Sequence, residues 1–160
     1  MTMIVDGIQG ISSNGITFAV VPTDGGAVRL PFLPIASLSH SGAMTIGGDT
    51  ELTSANFYDT VWVNQGNHFN PTTGRFTCPV AGVYRLYFRC TTNGANCNIR
   101  LRKNGVTINE AYGGAGGDLQ SVSSEVVISC VAGDYLNIQV NTFQALVGSQ
   151  HKQVTFQLLG

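Results

Sequence analysis

Between Phe69 and Cys90 the chain reads FNPTTGRFTCPVAGVYRLYFRC, and no other stretch restricts the fold as tightly. Asn70-Pro71-Thr72-Thr73-Gly74 is a turn cluster, with Pro71 fixing φ at a corner and Gly74 free to take the positive φ that a side chain resists. Arg75 to Cys78 is a short extended piece. Pro79 ends its ladder because it has no N–H to donate. Ala81-Gly82 reverses the chain, and Val83 to Cys90 then alternates. Tyr84, Leu86 and Phe88 share one face, while Arg85, Tyr87 and Arg89 share the other, as a half-buried strand requires.

The same period of two recurs downstream. Phe57 to Val63 alternates, with Phe57, Asp59, Val61 and Val63 on one side and Tyr58, Thr60 and Trp62 on the other. Ile99 and Leu101 point one way, with Arg100 and Arg102 opposite. Asn104-Gly105 is a strong hairpin signal before a returning strand, Val106 to Ala111. Val126, Ile128 and Cys130 form a further apolar face, as do Leu136, Ile138 and Val140, and finally Val154, Phe156 and Leu158. No segment shows a helical period, so the expected class is all-β.

This order of residues resembles the C1q/tumour-necrosis-factor-like domain. The resemblance is carried by Phe57, Val61, Asn64, Gly66, Phe69, Pro71, Thr73-Gly74-Arg75-Phe76, Cys78-Pro79, Gly82, Val83, Tyr84 and Phe88. It continues in Leu101-Arg102-Lys103-Asn104-Gly105, in Ala132-Gly133-Asp134, and in Val154 to Leu159. It implies a ten-strand jelly-roll sandwich that assembles as a homotrimer. Arg85 departs from the pattern, standing where the family often has a second aromatic near the trimer axis.

Residues 1–48 fall outside that resemblance. They hold short apolar pieces (Ile8, Ile11, Ile16, Phe18, Val20) broken by Asp6-Gly7, Asn14-Gly15 and Asp24-Gly25-Gly26, all turn signals. Their spacing resembles the β-rich segments of bacteriophage fibres. The expected organisation is an N-terminal β-rich arm over residues 1–48, a virion-docking or trimer-stalk segment, followed by the jelly roll over residues 49–160.

Composition narrows the function classes. The net charge is -1 and 11% of residues are charged, too weak and dispersed a field for nucleic acid. No apolar run approaches the length of a membrane span, so no membrane insertion is expected. Met1 to Asp6 lacks the basic start and apolar run of a secretory leader. The four cysteines, Cys78, Cys90, Cys97 and Cys130, include no Cys-x-x-Cys pair. Cys90 and Cys97 flank the polar turn Thr91 to Asn96; a disulfide across it and a pair of free thiols are both open.

No catalytic constellation is legible. His40, His68 and His151 have no metal-ligand spacing, the carboxylates sit mostly at turns, and neither a nucleophile elbow nor a His-Glu-x-x-His run occurs. Tyr112 to Asp118 is glycine-rich but lacks the lysine of a phosphate-binding loop. A protein that is not an enzyme, with no cofactor and no metal, is expected. The candidate trimer interface is Tyr58, Trp62, Tyr84, Tyr87 and Phe88. The candidate ligand patch is Arg85, Arg89, Arg100, Arg102 and Lys103, suited to an anionic group such as a host surface glycan. The leading expectation is a trimeric virion structural protein, a short fibre, receptor-binding or decoration protein, docking to another virion protein through residues 1–48. The alternative is a free soluble or secreted ligand-binding module.

Overall fold

The computed structural model describes residues 8–11, 17–22, 28–29, 33–93, 97–113, 119–145 and 148–160. The turns expected at Asp6-Gly7, Asn14-Gly15 and Asp24 to Gly26, most of the glycine-rich loop, and Gly94 to Asn96 lie outside them. The chain divides into two compact units, Met1–Leu33 and Pro34–Gly160. In the first, β1 (Ile8–Ile11), β2 (Thr17–Pro22) and β3 (Val28–Arg29) form an antiparallel sheet in that order.

The second unit is a two-layer antiparallel sandwich. Its strands are β4 (Ile35–Ser39), β5 (Met44–Ile46), β6 (Thr50–Glu51), β7 (Thr60–Gln65), β8 (Phe69–Asn70), β9 (Arg75–Thr77), β10 (Gly82–Asn93), β11 (Cys97–Lys103), β12 (Val106–Gly113), β13 (Leu119–Cys130), β14 (Tyr135–Asn141), β15 (Phe143–Ala145) and β16 (Lys152–Leu158). A five-stranded sheet runs β13-β10-β16-β4-β7, and a six-stranded sheet runs β12-β11-β14-β9-β8 with β6 beside β14. Strands β5 and β15 make a short separate pair. The chain crosses between layers after β10, after β12 and after β13, as a jelly roll requires. A single turn of 3-10 helix, Ser149–His151, precedes the last strand.

The expected boundary at 48/49 is displaced. Strand β4 lies between β16 and β7, with Phe156 opposite Ala36 and Val61 opposite Leu38. Ala36 and Leu38 are fully buried, so the sandwich already begins within the stretch assigned to the arm. Pro34 and the short apolar run around it hid this strand, because proline punctuation reads as a loop.

The core is a file of rings between the sheets. Centroids lie 5.7 Å apart for Phe88 and Phe57, 5.1 Å for Phe57 and Tyr58, and 4.8 Å for Tyr58 and Phe69. The file continues through Phe69 to Phe156 at 5.4 Å, Phe156 to Phe76 at 5.3 Å, and Phe76 to Tyr84 at 6.1 Å. Such spacings add packing energy to the area these rings remove from water. The Tyr84 hydroxyl reaches the Val80 carbonyl at 2.8 Å, which satisfies its polar end, and burial pushes its pKa up to about 12.

The strand expected from Phe57 onward starts later. Asn56, Phe57 and Tyr58 all donate their backbone N–H groups to the Thr53 carbonyl, so the chain is turning there. In a turn, neighbouring side chains need not alternate, and Phe57 and Tyr58 both enter the core.

Gly74 shows how closely the loops are fitted. Its φ is +66°, and a Cβ there would lie 1.8 Å from the Leu52 carbonyl oxygen. Gly133 has φ +90° but open space around it. Gly74→Ala is therefore expected to cost about 3 kcal/mol or more, since backbone must move, and Gly133→Ala about 1 kcal/mol from left-handed strain alone. Urea unfolding midpoints of the two variants check this; equal losses would contradict it.

Candidate interaction surface

The outward face of the five-stranded sheet can be read off its registers. Glu125, Tyr87, Thr155, Ser37 and Val63 lie in one cross-strand row, and Val127, Arg85, Gln157, Ile35 and Gln65 in the next. Val83 sits opposite Ser129 beyond them. Val63, Val83 and Val127 are exposed, and Tyr87 is half-buried. An apolar side chain on a sheet face gains nothing from water, so this mixture of valines, a tyrosine and polar groups has the make-up of a protein-contact surface. Within it, Arg85 bonds Glu125 at 2.8 Å and lies 5.3 Å from the Tyr87 ring centre.

Strand β7 closes this sheet on one side. Ser37 pairs with Val63 and Leu38 with Val61, which leaves Trp62 as the extra residue of a β-bulge. The bulge defeats simple alternation, and Val61, Trp62 and Val63 are all substantially exposed, Trp62 by 47%. Bulges of this kind blunt an edge strand against open-ended pairing.

Three of the five residues expected at a trimer interface are elsewhere. Tyr84 and Phe88 are fully enclosed and Tyr58 is 3% exposed, all within the subunit's own core. Their inward face is the one that meets the opposite sheet, which consumes the aromatic pattern the sequence displays. Tyr87 and Trp62 stay on the outside. Val63, Val83 and Val127 were not among the expected residues. Val126-Val127-Ile128 carried the signal, because three successive apolar residues in a strand cannot all face inward.

The expected basic patch is split between the two layers. Arg85 and Arg89 project from β10, whereas Arg100, Arg102 and Lys103 belong to β11 in the other sheet. Most of these charges are also paired. Arg100 meets Glu110 at 2.6 Å and Asp49 at 2.7 Å, Arg102 meets Glu51 at 2.7 Å, and Lys103 meets Asp134 at 2.8 Å. Arg89 donates to the Gln150 carbonyl at 2.9 Å. The sequence showed the cations but not Asp49 and Glu51, which β6 and its approach bring across the sheet from about fifty residues away.

Asp59 and Glu110 answer to different partners. Asp59 accepts from the Ser41 backbone at 2.9 Å and hydroxyl at 2.6 Å, and lies 3.1 Å from His40. Burial alone would raise its pKa, but the hydrogen bonds from Ser41 and Thr60 and the nearby His40 together lower it. Glu110 is held low by Arg100 first, then by Tyr112 and Asn98. Among the described residues, no cluster of His, Cys, Asp and Glu is arranged to hold a metal ion.

This topology, with these two unlike faces, defines a jelly roll of the C1q and tumour-necrosis-factor type. Residues 43–157 match the C1q domain model, and the chain belongs to that family. Human complement C1q and tumor necrosis factor-related protein 9B is 29% identical over 102 residues, covering 62% of this chain and 31% of the relative. The match therefore spans about a third of that curated relative's length. The globular domain of zebrafish complement 1qA superposes with a TM-score of 0.63 at 21% identity, over 80% of this chain and 98% of that one. Murine APRIL superposes with a TM-score of 0.61 at 12% identity, over 79% and 99%. At these identities the two structures speak for the fold alone.

The turn that joins β13 to β14 sets an acid limit. Lys103, the Asn104 amide at 2.7 Å and the Val131 N–H at 2.9 Å hold the Asp134 carboxyl down at about 2, against an ordinary 3.8. A carboxyl whose folded pKa is depressed contributes stability above its unfolded pKa and loses it as pH falls through the folded value. The gap in melting temperature between the native protein and Asp134→Asn is thus expected to be constant from neutral pH to about 4 and to close between there and about 2. Paired thermal melts across that range measure it; an unchanging gap would contradict the assignment.

Proposed function

We propose that the chain is a non-enzymatic, homotrimeric ligand-binding module of the C1q type, soluble or secreted. The outward face of the five-stranded sheet carries this reading: Val63, Val83 and Val127 stand exposed on it around Tyr87. Three copies related by a threefold axis would cover those side chains and leave the loops free to bind. Arg85, in the position where the family often has an axial aromatic, meets Glu125 instead, so salt is expected to affect assembly more than in an all-aromatic axis. The curated relatives, complement C1q and tumour-necrosis-factor-related proteins, favour this free module over a virion-docked one. Docking of residues 1–48 to a particle protein and binding of a host glycan draw no support from them.

Sedimentation and native mass measurements at micromolar concentration test the reading. The intact chain is expected to run as a trimer. Tyr87→Asp and Val127→Asp should each weaken association by about 2 kcal/mol or more while leaving the circular dichroism unchanged, because both side chains lie outside the core. Trp62 is the single tryptophan and reports on the edge. Its emission should shift to the red in whichever variant dissociates, if the interface reaches β7. A native chain that stays monomeric would remove the proposal.

A further inference from the structure

All four cysteines are buried, and the fold sorts them into two pairs. Cys90 in β10 and Cys97 at the start of β11 place their Sγ atoms 3.7 Å apart. Cys78 follows β9 in the six-stranded sheet, and Cys130 ends β13 in the five-stranded sheet. The Cys78 N–H donates to the Asp134 carbonyl at 2.8 Å and the Gly133 N–H donates to the Cys78 carbonyl at 2.9 Å. These bonds tie Cys78 to the turn that leaves Cys130, and the two thiols lie close enough to act on each other's ionisation. Cys130 lies opposite Gly82, the first residue of β10, while Cys90 lies near that strand's far end. Each pair thus bridges the two layers, one at either end of the same central strand.

We infer that these are two latent inter-sheet cross-links, Cys78–Cys130 and Cys90–Cys97, which close as disulfides when the chain folds in the presence of a small-molecule disulfide such as oxidised glutathione. In each, one cysteine thiolate attacks the glutathione disulfide and releases a glutathione thiol. The second cysteine then displaces the other glutathione from the mixed disulfide. The protein loses two thiol hydrogens per bridge, and two glutathione thiols carry them away. Only thiolates attack. In the closed sandwich burial pushes Cys78 and Cys130 up, and the bond to Cys97 together with burial pushes Cys90 up. Exchange therefore belongs to the stage at which the sheets come together. The Lys103 ammonium acts on Cys78 and Cys130, and that of Lys152 on Cys90, each in the direction that favours thiolate. The two bridges are not equal. Cys90–Cys97 closes a short crossover, but Cys78–Cys130 encloses a loop of roughly fifty residues and restricts the unfolded chain more.

The inference does not depend on the trimer and is tested on the full chain in two refolding mixtures. One contains reduced and oxidised glutathione, the other a phosphine reductant. Alkylation under denaturing conditions, followed by peptide mass mapping, gives the number of free thiols and their pairing. The reducing mixture should yield a folded chain with every thiol alkylated, since the sandwich forms without bridges. The oxidising mixture should yield none, with only the two stated pairs. The melting temperature of the oxidised form should be higher by about 10 °C. Cys78→Ser/Cys130→Ser should keep the shorter bridge and lose most of that rise. Failure of either bridge to form, any other pairing, a bridge between two chains, or an unchanged melting temperature would overturn it.

Discussion

The contact on which the rest of the molecule depends is the file of aromatic rings between the two sheets, from Phe88 through Phe57, Tyr58, Phe69, Phe156 and Phe76 to Tyr84. Its members come from β8 and β9 in one sheet, β10 and β16 in the other, and the turn before β7, so both layers supply it. Phe57 meets Phe88, and Phe69 and Phe76 both meet Phe156, so rings from distant parts of the chain hold one another. That fixes the separation of the layers. The loop around Gly74 is tight: Leu52 O leaves no room there for a methyl group.

Once that inner face is filled, the two outer faces are left to differ, and they do. On the six-stranded side, Arg100, Arg102 and Lys103 are matched by Glu110, Asp49, Glu51 and Asp134, while Arg75 stacks on Tyr135 at 4.3 Å. Solvent-exposed pairs of this kind add little stability individually, but they leave the face polar and self-neutralised. On the five-stranded side, valines and Tyr87 occupy outward positions, with the Arg85–Glu125 ion pair among them. Val106 and Tyr112 of β12 are exposed on the six-stranded layer, but the five-stranded side carries the larger set, and burying it is what association would gain.

Two buried polar side chains, Lys152 and Ser39, are paired with backbone carbonyls. Lys152 is fully buried in the last strand, and its ammonium donates to the Gly42 carbonyl at 2.7 Å, with burial lowering its pKa. Ser39 bonds the Lys152 and Ser149 carbonyls at 2.7 and 2.9 Å. Together they fasten β4 and the segment after it to β16, which explains why this stretch belongs to the sandwich despite its proline-rich approach. The thiol pairs sit toward the two ends of β10.

Local sequence determined the class of fold. A period of two, Asn104-Gly105, Pro79 and the turn at Gly74 act over a few residues, and each acted as expected, Gly74 at φ +66° included. The inward set of β10, Tyr84, Leu86 and Phe88, was equally legible, because alternation is a property of the strand itself. What the sequence could not supply was the use made of each face. Tyr84 and Phe88 look alike whether they meet an opposing sheet or another subunit, and only the arrival of Phe57, Phe76 and Phe156 decided for the core. The arginines of β11 look like a patch until Asp49 and Glu51 fold across them. Trp62 slips out of register because β4, more than twenty residues earlier, pairs with one residue fewer. Such choices depend on contacts between segments distant in the chain, and those exist only after the two layers have closed.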